Sequence, residues 1–426
     1  MGTSDKLVLG IRDEWGHEKP FGLSNADRRH HVYAIGKTGS GKTTLLRNLI
    51  LQDIEAGRGV GVIDPHGDLA AEILEHIPRW RIEDVAYFDP SDEDYPVSLN
   101  LLGGVPESRR HLVASGIVTA LRGIWSESWG PRMEYILFAT VAALLESENV
   151  SLIGVPRMFT DEGYRAWVVK QVKDPMVRSF WVNEFPRYDR KFAQDAVAPI
   201  QNKVGQLLMS SQLRNVLGQI QKKMDARFMM DNRRIFIANL CKGKIGADKA
   251  NLIGALWVTQ FQVAAMARAD TPEAGRTDFH LYVDEFQSFV SDSFAQVLSE
   301  ARKYGLSLTL AHQYIDQLKP TIADAVIGNV GSMVSFRVGY RDAKALEEAF
   351  GKTYTAQHFT SLSNGEVYVK LLVGGQDQDA FLGRTLPPQG SEYGYGSTII
   401  RRSRERYSSK RSVVEERIRR WFERMW

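Results

Sequence analysis

The sequence has one cysteine, Cys241, no long uninterrupted apolar run and almost no excess of charge. A single cysteine excludes an internal disulfide and fits a reducing compartment. The net charge of +3 does not by itself indicate nucleic-acid binding, so any basic surface must be local. No spacing of His, Cys and Asp is typical of a zinc site.

The sequence also lacks a recognisable signal peptide. The longest apolar helix that its pattern predicts, Met133 to Leu145, is too short to cross a bilayer and contains Glu134. We therefore expect a soluble, cytoplasmic protein with no transmembrane anchor of its own, or one held peripherally at the inner face of the cell membrane. Whether a membrane segment once preceded Met1 stays open.

What is present is the composition of a globular protein, 43% apolar and 25% charged over 426 residues. That length predicts two or three domains, or one large α/β domain with insertions.

The most informative stretch runs from Gly36 to Thr43 and fits the phosphate-binding pattern G-x-x-x-x-G-K-[ST]. His31–Ile35 before it predicts a buried strand, and the residues after it predict a helix. The glycines let backbone N–H groups surround a phosphate, and the helix N-terminus adds partial positive charge. Lys42 is expected to reach the β- and γ-phosphates of ATP, and the Thr43 hydroxyl to ligate Mg²⁺. The predicted nucleotide-binding residues are Gly36, Lys37, Thr38, Gly39, Ser40, Gly41, Lys42, Thr43 and Thr44.

A second motif follows another predicted strand, Phe279–Val283, which ends in Asp284 and Glu285. A carboxylate at the end of a strand beside a P-loop is the Walker B arrangement. Asp284 is expected in the Mg²⁺ shell, and Glu285 as the general base that polarises the attacking water. The tandem acids favour hydrolysis by water over transfer to a small molecule.

Two further candidates flank the predicted strand Leu306–His312. Gln313 follows the strand and is expected at the nucleotide edge, where an amide can sense the γ-phosphate or orient water. Arg302 precedes it, and seven strand residues span roughly 23 Å, so Arg302 cannot readily reach its own subunit's phosphate. If Arg302 is catalytic, it acts on a neighbouring subunit as an arginine finger, which predicts a ring; the alternative is an ordinary surface arginine.

Two groups of polar residues that follow predicted strands each allow two interpretations. Asp64, His66 and Asp68 follow the predicted strand Gly59–Asp64 and could face the nucleotide, or could form a turn satisfied by its own side chains. Lys242 and Lys244, after the predicted strand Arg234–Leu240, could meet a phosphate, although a polar loop is favoured.

The chain divides into four predicted parts. Residues 1–99 and 232–386 form an α/β core, 100–231 an inserted all-α domain, and 387–426 a basic tail ending in a helix. The other predicted strands are Val85–Asp89, Ser332–Val338 and a terminal hairpin of Gly365–Val373 with Ala380–Leu382, whereas residues before His31 are read as irregular. A capping box of Ser412 and Glu415 is expected to begin the last helix.

The roles of side chains in the helical insert and in the last helix also allow more than one interpretation. The insert's tryptophans fit a core better than base-stacking platforms, and its basic residues fit a solvated face better than a phosphate track. The last helix could pack on a neighbouring subunit, grip DNA or touch a membrane surface. The tryptophans are Trp125, Trp129, Trp167 and Trp181, the basic residues are Lys173, Arg178, Arg187, Arg190, Lys191, Lys222 and Lys223, and the last helix's apolar face is Val414, Ile418, Trp421, Phe422 and Met425.

Taken together, these motifs resemble the HerA/FtsK superfamily of DNA-pumping ATPases, and most of all the TraG/TraD-like conjugative coupling proteins of type IV secretion. The matching stretches are Gly36–Thr43, Asp64–Asp68, Trp129–Arg132, Val283–Phe286, Arg302 eleven residues before Gln313, and His312–Leu318. The resemblance implies a RecA-like P-loop core with an all-α domain, working as a hexamer around DNA, with Arg302 as the trans finger and Gln313 as the sensor. The membrane anchor usual in coupling proteins, HerA's N-terminal barrel and FtsK's sequence-reading module have no counterpart in the sequence.

The sequence thus predicts an ATP- and Mg²⁺-dependent DNA translocase that holds DNA without reading its sequence. Relaxase or secretion-channel components are the further expected partners. The rival functions are a protein-pumping secretion ATPase and a nucleotide-gated docking platform. Whether the track is single- or double-stranded, and the direction of movement, stay open.

Overall fold

The structure, a computed structural model, describes residues 6–125, 129–221, 223–290 and 294–424. The chain forms two compact units. The first contains the residues up to Tyr87, Arg227–Asn239 and Arg268–Ile400, and the second contains Phe88–Ala226, Leu240–Ala267 and the residues from Arg401 onward.

The strands are numbered in chain order. They are β1 Lys6–Glu14, β2 His17–Ser24, β3 Val32–Ile35, β4 Gly59–Asp64, β5 Val85–Phe88, β6 Ile235–Asn239, β7 Phe279–Val283, β8 Leu306–His312, β9 Ser332–Ser335, β10 Glu366–Lys370, β11 Leu372–Val373, β12 Gln376–Asp377 and β13 Phe381–Thr385.

The α-helices are α1 Asn25–Arg28, α2 Lys42–Glu55, α3 Asp68–Glu75, α4 Glu107–Ile124, α5 Pro131–Leu145, α6 Gly154–Thr160, α7 Glu162–Gln171, α8 Pro175–Ser179, α9 Arg190–Met209, α10 Ser211–Leu217, α11 Ala226–Asp231, α12 Lys242–Ile245, α13 Ala247–Met266, α14 Phe294–Glu300, α15 Pro320–Asn329, α16 Tyr340–Ala349, α17 Ala356–Thr360, α18 Gly396–Tyr407 and α19 Arg411–Glu423. Short 3₁₀ turns include Ala301–Tyr304 and Phe286–Ser288.

The first unit is built on a sheet with strand order β2-β1-β13-β10-β9-β3-β8-β7-β4-β6-β5. The pairs β9–β3, β3–β8, β8–β7, β7–β4 and β4–β6 are parallel, whereas β2, β1, β13 and β10 pair antiparallel along one side. Every residue of β3, β4, β7 and β8 is buried, as expected for parallel strands covered on both faces. The predicted α/β class with a mostly parallel sheet flanked by helices is confirmed.

The prediction that residues before His31 are irregular was wrong. Lys6–Glu14 and His17–Ser24 form an antiparallel hairpin with Leu7, Leu9 and Leu23 in the core. Trp15 and Gly16 make its turn, both with positive φ (58° and 80°). Charged residues on the exposed face hid an alternation that would otherwise have predicted a strand.

The tail after Pro387 differs from its prediction in two respects. An unexpected helix, α18, precedes the last helix, and the segment before it bonds to α2 and α3. Asn48 donates to the Pro387 carbonyl at 2.9 Å, and the Glu75 carbonyl accepts from the N–H of Tyr393 at 2.7 Å. The Ser412–Glu415 capping box is absent, because α19 begins at Arg411, two residues before the start that a Ser412 cap would give, and Glu415 accepts from the Arg411 side chain at 2.7 Å.

A buried ion pair joins α1 to α2 in the first unit. Arg28 donates to both carboxylate oxygens of Asp53 at 2.8 and 2.6 Å, and Tyr282 donates to Asp53 at 2.6 Å. Burial alone would raise the pKa of Asp53, but Arg28 beside it holds that pKa well below its usual range. The pair therefore stabilises the fold above the ordinary pKa of an aspartate, and the gain is lost only in strong acid.

Replacing Asp53 by Asn should therefore cost about 3 to 5 kcal/mol of unfolding free energy, because it leaves the Arg28 charge buried and unpaired. Urea unfolding measures this. The matched control is Glu18→Gln, which breaks an exposed pair with Arg384 and should cost under about 1 kcal/mol. Equal costs in the two variants would contradict the assignment.

The second unit is helical, and its core includes Trp181, whose indole donates to the Ala139 carbonyl at 3.2 Å. Trp181 is therefore a core residue. Trp125, Trp129 and Trp167 are half-buried, so both interpretations, core residue or base-stacking platform, stay open for these three.

By length and composition, one helix in the described ranges could cross a membrane, Ala247–Asp270, and 72% of its most apolar window is buried inside the protein. The prediction that Met133–Leu145 is the longest apolar helix was therefore wrong. The sequence does predict a long helix there, at about Asp248 to Arg268, but Thr259 and Gln260 interrupt its apolar run.

Candidate nucleotide site

Four neighbouring parallel strands, β3, β8, β7 and β4, end at the same edge of the first unit's sheet. The register pairs Ile35 with His312, Leu310 with Val283, and Val283 with Ile63. Ligands of open α/β sheets bind beyond such carboxyl ends. The P-loop follows β3, Gln313 follows β8, Asp284 and Glu285 follow β7, and Asp64 ends β4. The structure thus brings these predicted residues together.

The P-loop backbone is fixed to β8 and to the chain just after β9, the two strands that pair with β3. Gly36 N–H donates to the His312 carbonyl at 3.2 Å, and Lys37 N–H donates to the Arg337 carbonyl at 2.9 Å. Only glycine fits at position 36, because a Cβ there would lie 2.5 Å from the Cβ of Phe336. Gly41 adopts φ 115° where the chain enters α2, a conformation that other residues rarely adopt.

The start of α2 suits an anion. It has no side-chain cap and no acidic residue in its first turn, so its N–H groups and dipole point at the loop. Lys42 is 6% exposed and donates to the carbonyls of Gly36 and Lys37. Burial lowers the pKa of Lys42, and the carboxylates of Glu285 and Asp284 partly oppose this. Lys37, Thr38, Gly39 and Thr43 are exposed, Thr44 is half-exposed, and the buried Ser40 hydroxyl has no partner within the described chain.

Asp284 lies next to Asp64 at the buried edge. Its backbone N–H donates to the Ile63 carbonyl at 3.1 Å, which fixes it beside β4. Burial, with Asp64 and Glu285 adding like charge, raises the pKa of Asp284 to about 6. A carboxylate in this environment gains from a nearby cation.

The Asp64–Asp68 turn is satisfied by its own groups. The two carboxylate oxygens of Asp64 accept from the N–H groups of His66 and Ala70, both at 2.9 Å, and Asp68 begins α3. These bonds support the interpretation of Asp64–Asp68 as a turn that its own side chains stabilise. The charge of Asp64 still acts on Asp284.

Glu285 is 7% exposed and sits in a left-handed conformation, φ 47° and ψ 48°. Gln313 donates to its Oε1 and Gln287 donates to its Oε2, each at 2.6 Å. Gln287 was missed by the sequence analysis. A glutamine two residues after an acid is too common to signal a contact, and only the positive φ of Glu285 turns the two side chains together.

The side chains suit a magnesium ion that is shared with a bound phosphate. Thr43 offers an exposed hydroxyl and Asp284 a carboxylate, the hard oxygen donors that Mg²⁺ prefers. No cluster of three or more His, Cys, Asp or Glu side chains in the described ranges could cage a metal. Mg²⁺ is usually held by one or two carboxylates together with substrate phosphates, so the two donors fit.

Arg302 does not join this cluster. It lies in the 3₁₀ turn before β8, while Gln313 follows β8 at the nucleotide edge. Its exposed guanidinium contacts Nδ1 of His30 at 3.0 Å. Partial burial and the Arg302 charge lower the pKa of His30, which favours the neutral form of the ring.

The remaining candidates lie elsewhere. Lys242 and Lys244 are on the short helix α12 rather than in the expected loop. Lys223 donates to the Ser408 carbonyl and to Ser409, a structural role. Lys173, Arg178, Arg187 and Lys191 are exposed; Lys222, Met425 and the Arg190 side chain lie outside the described residues.

The fold and the clustered motifs define the RecA-like P-loop NTPase class. Residues 278–379 match the family described as "TraM recognition site of TraD and TraG". No protein of curated function matches the chain.

Solved structures share the fold. Plasmid coupling protein TrwB in complex with the ATP analogue ADPNP is 18% identical, over 92% of this chain and 91% of that one, with a TM-score of 0.66. TrwB in complex with ADP and Mg²⁺ is 16% identical over 92% and 91%, with a TM-score of 0.64. VirB4 of Thermoanaerobacter pseudethanolicus is 14% identical over 93% and 99%, with a TM-score of 0.60. The predicted resemblance to TraG/TraD-like coupling ATPases is confirmed.

Proposed function

We propose that this protein is a Mg²⁺-dependent ATPase that translocates DNA, as a hexameric ring, during conjugative transfer or DNA processing. The observation that carries the proposal is the meeting of Lys42, Asp284, Glu285 and Gln313 at adjacent strand ends. The fold shared with TrwB, solved with an ATP analogue and with ADP and Mg²⁺, supports ATP and Mg²⁺ as ligands.

In this proposal each side chain has one task. Lys42 leaves the carbonyls of Gly36 and Lys37 to hold the β- and γ-phosphates, and the α2 N-terminus binds the same charge. Thr43 and Asp284 would hold Mg²⁺, which would neutralise phosphate charge when bound. Glu285 accepts the proton of the attacking water, and Gln313 orients that water or senses the γ-phosphate.

Arg302 completes the site of a neighbouring subunit. Its position before the amino end of β8 keeps it from its own P-loop, and its exposed guanidinium is available to another chain. This arrangement needs an oligomer, and a closed ring is the assembly in which every site receives an arginine.

DNA is the proposed track, held through its backbone. The matched TraM recognition region and the coupling-protein fold support partners that deliver DNA, such as a relaxase or secretion-channel components. The exposed basic residues of the helical unit, for which a solvated face is the favoured interpretation, are the alternative candidates for such contacts.

The test is the steady-state ATPase rate without DNA and with single- or double-stranded DNA. We expect DNA to stimulate turnover at least about tenfold and the stimulation to fall as salt rises, since phosphate contacts are salt-sensitive. The control Lys42→Ala should have no turnover with either form. Turnover that is indifferent to both forms of DNA would contradict the DNA track and favour a protein-pumping ATPase.

A further inference from the structure

The second amide on Glu285 has no assigned role in the site described above. Gln287 donates its Nε2 to Oε2 of Glu285 at 2.6 Å, the same length as the bond from Gln313 to Oε1. Bonds from amides to a carboxylate at this length are charge-assisted and about twice as strong as neutral ones. Both carboxylate oxygens of the proposed base therefore accept a hydrogen bond, and the two bonds fix the orientation of its side chain.

The turn that carries Gln287 is itself anchored. Phe286, the first residue of the 3₁₀ turn, is fully buried. Its ring packs edge-on against His312, with centroids 5.0 Å apart, and against Tyr33, with centroids 6.1 Å apart. The turn is thus fixed to the end of β8 and to β3, the strand that leads into the P-loop. Gln287 is held in place by the elements that also position the nucleotide.

The two amides differ in what else they can do. Gln313 follows β8 beside the P-loop and is half-exposed, so a bound γ-phosphate competes with Glu285 for its amide. Gln287 lies in the anchored turn on the other side of Glu285, and its Oε1 is buried without a partner in the described chain. The bond to Glu285 therefore persists when Gln313 turns to the nucleotide.

We propose that Gln287 is a positioning residue for the hydrolytic reaction: it fixes the Glu285 carboxylate while Gln313 exchanges between Glu285 and the γ-phosphate. The inference rests on the proposed function, in which Glu285 is the base. A base held within hydrogen-bond reach of its water contributes far more than one that samples several rotamers.

Steady-state kinetics of the full chain with saturating DNA test this inference. Gln287→Met keeps the length of the side chain and removes the donor; we expect kcat to fall about tenfold with KM for ATP within about twofold. Gln287→Glu places a like charge beside Glu285 and should lower kcat further. The matched control is Gln357→Met, an exposed glutamine on α17, which should leave both parameters unchanged.

A second measurement separates positioning from a merely structural role. In a Glu285→Gln background, Gln287→Met should leave the residual rate unchanged, because the group it positions is gone. An unchanged or higher kcat in Gln287→Met, or a rise in KM alone, would overturn the inference. If Glu285→Gln keeps full turnover, the base assignment on which this inference rests fails; if it abolishes turnover and Gln287→Met has no effect, only the positioning role fails.

Discussion

Glu285→Gln should bind ATP with unchanged affinity and hydrolyse it at least about a hundredfold more slowly, since general-base catalysis contributes 10²- to 10⁴-fold. The substitution keeps the shape of the side chain. The new amide can accept from Gln313 through its oxygen and, once the Gln287 amide has turned over, can donate to Oε1 of Gln287, so the local structure should persist. What is lost is the ability to take a proton from water.

The measurement is single-turnover hydrolysis together with equilibrium binding of a fluorescent ATP analogue. Glu18→Gln, at an exposed salt bridge with Arg384, is the matched control and should retain full activity. Normal hydrolysis by Glu285→Gln would refute the base assignment. Lost binding would show that Glu285 shapes the pocket instead, which its bonds to Gln313 and Gln287 would then explain.

The local sequence pattern was sufficient to predict the strands that form this site. Gly59–Asp64, Phe279–Val283 and Leu306–His312 were predicted with the bounds that the structure shows. Each is a short, mostly apolar run that polar residues, glycine or proline bound, and each is buried on both faces, so composition and environment agree. Parallel pairing of such strands then places their following residues at one edge, which is why the nucleotide cluster could be predicted.

Two of the failures have a different cause: contacts between residues that are distant in sequence. The β1–β2 hairpin is stabilised partly by pairing with β13, which lies at the far end of the chain. Ser412 could cap α19 only if the helix began after it, but α19 begins at Arg411, whose N–H donates to the Asp94 carbonyl at 2.9 Å. No local pattern reports such pairings. Gln287 is a different case: it is only two residues from Glu285 and reaches it because the backbone of Glu285 is left-handed, a conformation that the residue types do not predict.

The position of Arg302 has the widest consequence for the proposed motor. β8 begins just after the turn that carries Arg302 and ends next to Gln313. His30, which contacts Arg302, directly precedes His31 and β3, and β3 leads into the P-loop. If Arg302 serves a neighbouring subunit, as proposed, it is joined through two adjacent strands to its own chain's nucleotide site. In the proposed ring, hydrolysis at one seam, the site shared by two adjacent subunits, would then influence the next one without a separate linker.

Arg302→Ala and Lys42→Ala should each lose at least about 10³-fold in kcat, the range of an arginine finger, and should regain turnover when mixed. In a mixed ring, an Arg302→Ala subunit supplies an intact P-loop and a Lys42→Ala neighbour supplies the arginine. When the two variants are mixed randomly in equal amounts, about a quarter of the sites between subunits are complete. A site is complete when one subunit has an intact P-loop and its neighbour has an intact arginine, and each condition is met in half of the cases.

The experiment is a titration of ATPase rate against mixing ratio in the presence of DNA, after the rings have exchanged subunits. Either variant mixed with the double variant Lys42→Ala/Arg302→Ala cannot form a complete seam, and it should stay inactive at every ratio. A maximum near equal amounts, absent from these controls, requires that the arginine and the P-loop come from different chains. No recovery at any ratio would mean that Arg302 has only a structural role in its own subunit, through its contact with His30. The catalytic argument for a ring would then fail.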